Sequence, residues 1–281
     1  MVNRKIARLE GDPKLKTDVA AETRALFGDQ SVVERYRRVA ELLPPEAAIF
    51  SRMGREFADK RILDFGVGAG RTTPYLLEIS KKYIGIDFSP AMIAACQARY
   101  PAVSFAVGDA RDLSRYPAAS FDFVLFSQNG IDCIDHAGRL QALAEIRRVL
   151  APGGVFIFSS LNRDFQIPKP WNIRNLLLQS NSFANPTLLF KRLKTYAAGI
   201  YHYLRYRSQE EHTEEYALIT RNTFNYGALL YAISIDAQLV QLRRVGFHEV
   251  EVVGRKRPRV LRPDEYASCG EWMLYYVCRA T

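Results

Sequence analysis

The stretch Arg61-Ile-Leu-Asp-Phe-Gly-Val-Gly-Ala-Gly-Arg71 decides how this sequence folds. Ile62 to Phe65 is typical of a buried β-strand, and three glycines at alternating positions separate that strand from a helix. Glycine allows a tight turn and a close approach of the backbone to a ligand, while the first turn of a helix offers unpaired N–H groups. The stretch therefore predicts a nucleotide-type pocket at the carboxyl end of a parallel strand. The alternative is a glycine-rich turn that binds nothing.

Strand and helix patterns alternate over the following hundred residues. The predicted strands run from Ile62 to Phe65, Tyr83 to Ile86, Val103 to Val107, Phe121 to Phe126 and Val155 to Phe158. Helical stretches separate them, which predicts right-handed βαβ units and a parallel sheet. The last two predicted strands, Phe247 to Val253 and Trp272 to Cys278, have no helix between them. That arrangement predicts an antiparallel finish.

Four regions follow from these patterns: an N-terminal helical extension (1–60), a ligand-binding core (61–160), an insertion (161–233) and a C-terminal completion of the sheet (234–281). In the extension, a helix from Ser31 is expected to stop at Pro44-Pro45, and a second is expected from Glu46 to Phe57. Tyr36 is interpreted as facing the core rather than reaching over a ligand. The clearest helix of the insertion spans Thr187 to Leu204.

The charge balance is basic, with 39 Lys and Arg against 30 Asp and Glu. The excess is uneven, because residues 163–207 hold eight basic side chains and one acid, Asp164, and a second cluster spans Arg255 to Arg259. Such clusters favour an anionic substrate, nucleic acid or a membrane surface, with a solvated face as the commoner explanation. The helix at Leu188–Leu204 is interpreted as packing one face on the core, with an anionic membrane as the alternative.

The sequence predicts a cytoplasmic protein with reduced cysteines. No apolar signal region follows the first methionine, and no run of 18 apolar residues is present. The four cysteines, Cys96, Cys133, Cys269 and Cys278, form neither a C-x-x-C pair nor a metal-ligand spacing. No metal is therefore predicted.

Acidic residues stand at the ends of three predicted strands. Asp87 lies 23 residues after Asp64, near the offset expected for a carboxylate that accepts from ribose hydroxyls. Asp109 is placed to accept from an exocyclic amine such as that of adenine, and Phe88 and Met92 would flank a flat ring. Turn capping is the alternative for each aspartate. Three of them at successive strand ends favour a ligand site.

Enzymes that use dinucleotides are the first rival, because their fingerprint is G-x-G-x-x-G. Here Arg71 stands where the third glycine of that fingerprint would fall. Asp64 lies inside the strand end, where a carboxylate would repel a pyrophosphate and attract an amino group. These two features favour an adenosyl ligand that carries an amino acid.

Residues 61–160 contain, in order, the motifs Leu-Asp-Phe-Gly-Val-Gly-Ala-Gly, Gly-Ile-Asp-Phe-Ser, Gly-Asp-Ala, Phe-Asp-Phe-Val and Arg-Arg-Val-Leu-Ala-Pro-Gly-Gly. With these motifs the segment resembles a class I S-adenosylmethionine-dependent methyltransferase. The resemblance implies an α/β fold, a three-layer Rossmann-like sandwich. The expected sheet is mostly parallel and seven-stranded with an antiparallel last strand, and a helical insertion is added to it.

The resemblance also implies roles for individual residues. Asp64 and the loop of Gly66, Gly68 and Gly70 would face the methionine part of the cofactor, and Asp87 would hold the ribose. Phe88 and Met92 would flank the adenine, Asp109 and Ala110 would lie at its edge, and Ser127 would lie near the methyl group. Arg71 would approach the cofactor carboxylate or lie on the helix surface.

Methyl transfer from a sulfonium is an in-line displacement, so alignment and exclusion of water are the main tasks of the enzyme. His136 is the weak candidate for a base, with His202, His212, Tyr201 and Tyr203 behind it. The sequence favours methylation of an oxygen or nitrogen atom of a small molecule, anionic or sugar- or lipid-linked, with S-adenosylhomocysteine as product. A nucleic-acid methyltransferase and a non-catalytic S-adenosylmethionine-binding regulatory protein are the alternatives, and peripheral membrane contact stays open.

Overall fold

The computed structural model describes residues 19–172 and 186–280. Predictions for residues 1–18, 173–185 and 281 lie outside this part of the chain. The strands are β1 Ile62–Phe65, β2 Tyr83–Asp87, β3 Ser104–Val107, β4 Phe121–Phe126, β5 Leu150–Asn162, β6 Glu211–His212, β7 Tyr216–Thr220, β8 Leu229–Ile233, β9 Phe247–Gly254 and β10 Met273–Ala280. The helices are α1 Val19–Gly28, α2 Gln30–Arg38, α3 Pro44–Met53, α4 Thr73–Ile79, α5 Pro90–Arg99, α6 His136–Val149, α7 Pro186–Tyr206 and α8 Ile235–Arg244.

The core of the sheet has seven strands in the order β3-β2-β1-β4-β5-β10-β9. The pairs among β1 to β5 are parallel, and β10 runs antiparallel to both of its neighbours. This arrangement confirms the predicted α/β fold with an antiparallel last strand. The carboxyl ends of β1, β2 and β4 therefore meet at one edge of the sheet, where open α/β sheets form their ligand crevice.

Side chains of the central strands alternate between two apolar layers. In β5, Phe156 and Phe158 pack with α6 and α8, whereas Val155 and Ile157 pack with α3 and α4. This period of two is the geometry of a strand that is covered on both faces. Each such side chain is almost completely buried, which stabilises the fold by about 2 kcal/mol per residue. The three-layer sandwich is thus confirmed.

The predicted helical insertion contains helix α7, and it also supplies strands β6, β7 and β8, which the sequence patterns did not indicate. These strands form an antiparallel meander, and β8 runs parallel to the last two residues of β5, Leu161 and Asn162. The pairing arises because β5 continues past Phe158, the residue opposite the end of β4 at Phe126. The exposed backbone edge of β5 beyond that point is paired with β8.

The prediction that Pro44-Pro45 stops a helix is wrong. Helix α2 ends at Arg38, and Pro44 begins α3 instead. Proline is well suited to the first turn of a helix because the N–H that it lacks has no partner there. The N–H of Leu43 donates to the Glu46 carboxylate (2.7 Å), which satisfies another group at this helix start.

The four cysteines are free, as predicted, and three of them are buried. Within residues 19–172 and 186–280, no helix combines the length and the apolar character needed to cross a bilayer.

Candidate functional site

A cavity of about 340 Å³ opens at the carboxyl ends of β1, β2 and β4. Its floor is the glycine loop after β1, and its walls include the residues that follow β2 and β4. Helices α1 and α2 and the start of β10 complete the enclosure. The volume lies in the range of small-molecule sites.

The glycine loop adopts a backbone that requires glycine. Gly66, Gly68 and Gly70 have φ angles of +65°, +56° and +81°, a region that other residues seldom adopt. A Cβ atom on Gly66 would lie 2.8 Å from the ring of Phe126, and one on Gly70 would lie 2.9 Å from the ring of Tyr100. The loop is therefore fixed by packing as well as by its dihedral angles, and its backbone lines the cavity.

Asp87 ties the glycine loop to the end of β2. One carboxylate oxygen accepts from the N–H of Gly68 and the other from the N–H of Ser89, each at 2.9 Å. The side chain is buried at the cavity wall, and this burial raises its pKa to about 6. A carboxylate fixed by two backbone donors is well placed to accept further hydrogen bonds from ligand hydroxyls.

Asp64 lies beneath the loop and is almost completely buried. Its Oδ2 accepts from the hydroxyl groups of Thr72 (2.6 Å) and Tyr83 (2.9 Å). Burial raises its pKa to about 7, and these hydrogen bonds offset part of that effect. Asp64 also lines the cavity, so a cationic ligand group beside it would favour the ionised carboxylate.

The raised pKa of Asp64 makes stability depend on pH in a defined direction. In the unfolded chain this carboxyl has its usual pKa of 3.8, so between about pH 4 and pH 7 the folded state binds the proton more tightly. The ligand-free protein should therefore lose stability relative to Asp64→Asn as pH rises from about 4 to 7, and the difference should become constant above about pH 7, where both states carry the charge. Thermal unfolding of both proteins from pH 5 to pH 8 measures this difference. A constant difference across that range would contradict the buried charge.

Arg71 is not a helix-surface residue, because its side chain is buried in an ion pair that the sequence did not predict. Its guanidinium contacts both oxygens of Glu46, at 2.5 and 2.7 Å, and donates to the Ser127 hydroxyl at 3.2 Å. Tyr275 donates its O–H to the same Glu46 carboxylate (2.8 Å). Burial opposes ionisation of Glu46, but the hydrogen bonds and charge of Arg71 outweigh it and lower the pKa of Glu46.

Ser127 stands at the end of β4, where the backbone turns sharply. It contacts Glu46 as well as Arg71, and it lines the cavity. The next two residues, Gln128 and Asn129, have φ angles of +48° and +50°, and positive φ angles are uncommon for residues other than glycine. Both also line the cavity. Strained backbone of this kind is often found at functional sites.

The predicted adenine end is only partly assembled as expected. Phe88 and Ala110 line the cavity, and so does Asp109. The Asp109 carboxylate, however, is engaged by the Arg111 guanidinium (2.6 Å). Met92 does not lie on the cavity wall. Its side chain is completely buried, because it lies on the face of α5 that packs against α2.

A group of aromatic rings covers the cavity, and of these rings only Phe88 was predicted to be a site residue. Phe27 of α1 makes edge-on contacts with the rings of Tyr36, Phe88 and Phe224, with centroids 5.6–5.7 Å apart. We call these four rings the aromatic roof. Tyr36 packs against a buried apolar cluster, as the sequence analysis preferred, and it also lines the cavity. Arg255, Trp272 and Met273 complete this wall.

His136, the weak candidate for a base, is not at the cavity. Its ring is stacked on Tyr216 (centroids 4.2 Å apart), and Nδ1 is hydrogen-bonded to the Tyr231 hydroxyl (2.9 Å). The start of α6 faces the insertion meander rather than the strand ends, and partial burial there lowers the pKa of His136. The other candidates, His202, His212, Tyr201 and Tyr203, also lie away from the cavity wall.

Comparison with known proteins agrees with this geometry. Residues 62–154 match a methyltransferase domain family. A probable S-adenosylmethionine-dependent methyltransferase of Mycolicibacterium smegmatis is 34% identical over 116 residues, which cover 41% of this chain and 43% of the relative. A trans-aconitate 2-methyltransferase of Acidovorax ebreus is 32% identical over 129 residues, or 45% of this chain and 47% of the relative. The chain thus spans less than half the length of these relatives.

A solved structure shows the same fold over most of the chain. The 1,6-didemethyltoxoflavin-N1-methyltransferase of Burkholderia thailandensis, bound to 1,6-didemethyltoxoflavin and S-adenosylhomocysteine, is similar with a TM-score of 0.53 and 18% identity. The similarity covers 93% of this chain and 88% of that one. Residues 62–154 are therefore similar to a methyltransferase domain, and the chain shares its fold with this S-adenosylhomocysteine-bound methyltransferase.

Proposed function

We propose that this protein transfers the methyl group of S-adenosylmethionine to an oxygen or nitrogen atom of a small molecule. One observation carries the proposal: a single cavity joins the glycine loop and Asp87 to an apolar wall under the aromatic roof. A methyl donor held at the first part would direct its methyl group along the same enclosed space. The roof also limits the size of an acceptor, which favours a small molecule over a nucleic acid.

The residues present fit the cofactor. The glycine backbone allows close approach, and Asp87 offers a fixed carboxylate for ribose hydroxyls. Asp64 has the charge to hold an ammonium group, and the Arg71 guanidinium, although paired with Glu46, lies on the same wall and would donate to a carboxylate. Phe88 and the backbone of Ala110 would contact the adenine. Ser127 would lie toward the methyl group, together with Gln128 and Asn129.

The bound cofactor supplies a methyl group on a positively charged sulfur, which needs no activation by the protein. The chain's own residues align the acceptor and keep water out. Among the described wall residues there is no histidine, and burial strongly raises the pKa of the Cys133 thiol. The wall is therefore suited to catalysis by positioning, with an acceptor that arrives as a nucleophile.

We also propose that the two flanking regions act as the cover of the site. Phe27 from the N-terminal extension (1–60) and Phe224 from the insertion (161–233) meet over the core region (61–160). The C-terminal region (234–281) contributes Trp272 and Met273 to the same cavity. The acceptor would then be chosen by these additions, since the core supplies the site for the donor.

The proposal is tested in two steps with purified protein. Calorimetry with S-adenosylhomocysteine tests the cofactor site, and the absence of binding would overturn the whole proposal. S-adenosylmethionine labelled in its methyl group is then incubated with a metabolite extract and, separately, with total RNA. Label in a small-molecule fraction supports the proposal. Label in RNA would assign a nucleic-acid methyltransferase, and binding without transfer to either pool would assign a binding protein.

A further inference from the structure

We propose that the acceptor carries an anionic group, a carboxylate or a phosphate ester on an apolar body, and that Arg255 stacked on Trp272 holds this group. The inference rests on the proposed function and names the substrate class of the same cavity.

Strand order places Arg255 at the acceptor end of the cavity. Asp87 ends β2, whereas Arg255 directly follows β9, and the sheet order β3-β2-β1-β4-β5-β10-β9 puts these two strands in opposite halves. Both residues nevertheless line the same cavity. The residues proposed to bind the methyl donor lie in the half of the sheet that contains β1 and β2. A ligand group that contacts Arg255 therefore belongs to the methyl acceptor.

Arg255 has no acidic partner among the described residues, in contrast to three nearby arginines. Arg71 is paired with Glu46 and Arg111 with Asp109, and Arg259 in the same loop is paired with Glu265. No acid among the described residues forms an ion pair with Arg255, and its Nε is buried without a hydrogen-bond partner there. An unsatisfied buried donor costs free energy, which a ligand acceptor would recover.

The surroundings of Arg255 suit a planar anion. Its guanidinium carbon lies 4.8 Å from the ring centroid of Trp272, a cation–π contact that holds the side chain in place. The guanidinium fork matches the two oxygens of a carboxylate or phosphate. Met273, Phe224 and Ile134 add apolar wall in the same cavity, which provides a surface for the rest of the acceptor.

The test uses protein saturated with S-adenosylhomocysteine and three small probes: benzoate, phenyl phosphate and benzamide. Calorimetry or ligand-observed NMR should show that at least one anionic probe binds about 10- to 100-fold more tightly than neutral benzamide. Arg255→Met should abolish that preference, and Arg255→Lys should retain only part of it, because lysine has no fork. Whichever anion binds more tightly distinguishes a carboxylate from a phosphate acceptor.

Arg257→Met is the matched control, since Arg257 belongs to the same loop but is exposed and does not line the cavity. It should bind the probes like the wild type. The inference is overturned if neither anion is preferred by the wild type, or if Arg255→Met keeps the preference. Affinity for S-adenosylhomocysteine is measured in parallel, so that failure of the anion site is distinguished from failure of the cofactor site.

A second and independent observation concerns the outer face of α7. We propose that this face binds an anionic lipid bilayer. Five positions spaced by three or four residues form an exposed apolar stripe within an arc of about 80° around the helix. We call them the α7 stripe: Phe190, Leu193, Ala197, Tyr201 and Leu204.

The α7 stripe is unusually exposed for such side chains. Phe190 is 71% exposed and Tyr201 is 61% exposed, whereas Tyr203 and Tyr206 on the opposite face are buried. The buried face of α7 packs within the insertion, where Tyr203 contacts Trp171 and Tyr226, and a second apolar face is left on the outside. An exposed apolar stripe of this length marks an interaction surface.

The side chains around the α7 stripe are basic, which favours an anionic partner. Lys191, Lys194 and Arg205 lie on α7, and the chain has no acid between Asp164 and Glu210. Basic side chains beside an apolar stripe are complementary to the headgroups and acyl boundary of an anionic membrane. Trp171, which is 51% exposed and packs edge-on against Tyr203, adds an aromatic side chain of the type found at membrane interfaces.

Vesicle sedimentation tests this surface with phosphatidylcholine alone and with added phosphatidylglycerol. The wild type should bind only the anionic vesicles, and Phe190→Ser/Leu204→Ser should reduce that binding by about tenfold. Lys191→Gln/Lys194→Gln should reduce it by about tenfold as well. Val240→Ser, which changes an exposed apolar residue of α8, is the control and should bind like the wild type.

Absence of wild-type binding to anionic vesicles would overturn the membrane proposal, as would equal binding by the stripe variant. Light scattering tests whether a second copy of the chain binds this face instead. A dimer that forms in the wild type but not in Phe190→Ser/Leu204→Ser would assign the face to a dimer interface. Circular dichroism confirms that the exposed substitutions leave the fold intact.

Discussion

Replacing Asp87 with alanine is expected to weaken binding of S-adenosylhomocysteine by about 100-fold or more, while the protein stays folded. The Asp87 side chain would have two roles at the proposed site. It would accept from the ribose hydroxyls, and it holds the N–H groups of Gly68 and Ser89. Hydrogen bonds to a charged group are each stronger than neutral ones, so the loss of several of them is large.

Calorimetry measures this effect, and circular dichroism with thermal unfolding checks the fold. Asp264→Ala provides the matched control, because that aspartate is exposed and does not line the cavity. Asp87→Asn should fall between the alanine variant and the wild type, since an amide oxygen keeps one acceptor without the charge. Wild-type affinity in Asp87→Ala would contradict the cofactor assignment.

The second large effect concerns stability. Asp132→Ala is expected to destabilise the protein by about 3–5 kcal/mol, because it leaves the guanidinium of Arg139 buried without its counter-charge. Both side chains are completely buried, and Asp132 Oδ1 lies 2.7 Å from Arg139 Nη1. Asp132 also accepts from the Ser160 hydroxyl and from the N–H of Leu161. The carboxylate therefore connects the turn after β4 to β5.

Urea unfolding measures this loss of free energy. Glu34→Ala removes the acid of a surface ion pair with Arg37 and should cost about 0.5 kcal/mol or less. The double variant Asp132→Asn/Arg139→Met should recover part of the stability lost in Asp132→Ala, since it no longer buries an unpaired charge. A loss below about 1 kcal/mol in Asp132→Ala would show that the structure tolerates the uncompensated arginine.

Much of the proposed binding site for the methyl donor could be predicted from the sequence, because the residues that indicate it lie in short local motifs. Gly66, Gly68 and Gly70 follow a strand directly, and their positive φ angles are the reason that glycine is needed. Asp87 is recognisable because it ends the next strand of a βαβ unit. For the same reason the parallel strands of the core could be predicted from the alternation of apolar patterns.

The remaining features depend on contacts between distant parts of the chain. Glu46 meets Arg71 across 25 positions and Tyr275 across 229, and no local pattern indicates either pairing. His136 stands at the predicted place in the chain, but the unpredicted strands β7 and β8 supply the rings that hold it away from the cavity. A periodic pattern shows that a helix has an apolar face. It does not show whether Met92 on that face contacts ligand or core.

The aromatic roof has a thermodynamic consequence. Phe27 contacts Phe88, which belongs to the donor half, and Phe224, which belongs to the acceptor half. A ligand that orders this shared ring from one side lowers the entropic cost of ordering it from the other. Donor and acceptor should therefore bind with positive coupling, and by linkage each must raise the affinity of the other by the same factor. Titrating S-adenosylhomocysteine with and without a saturating acceptor analogue measures that factor, and Phe27→Ala should bring it toward one.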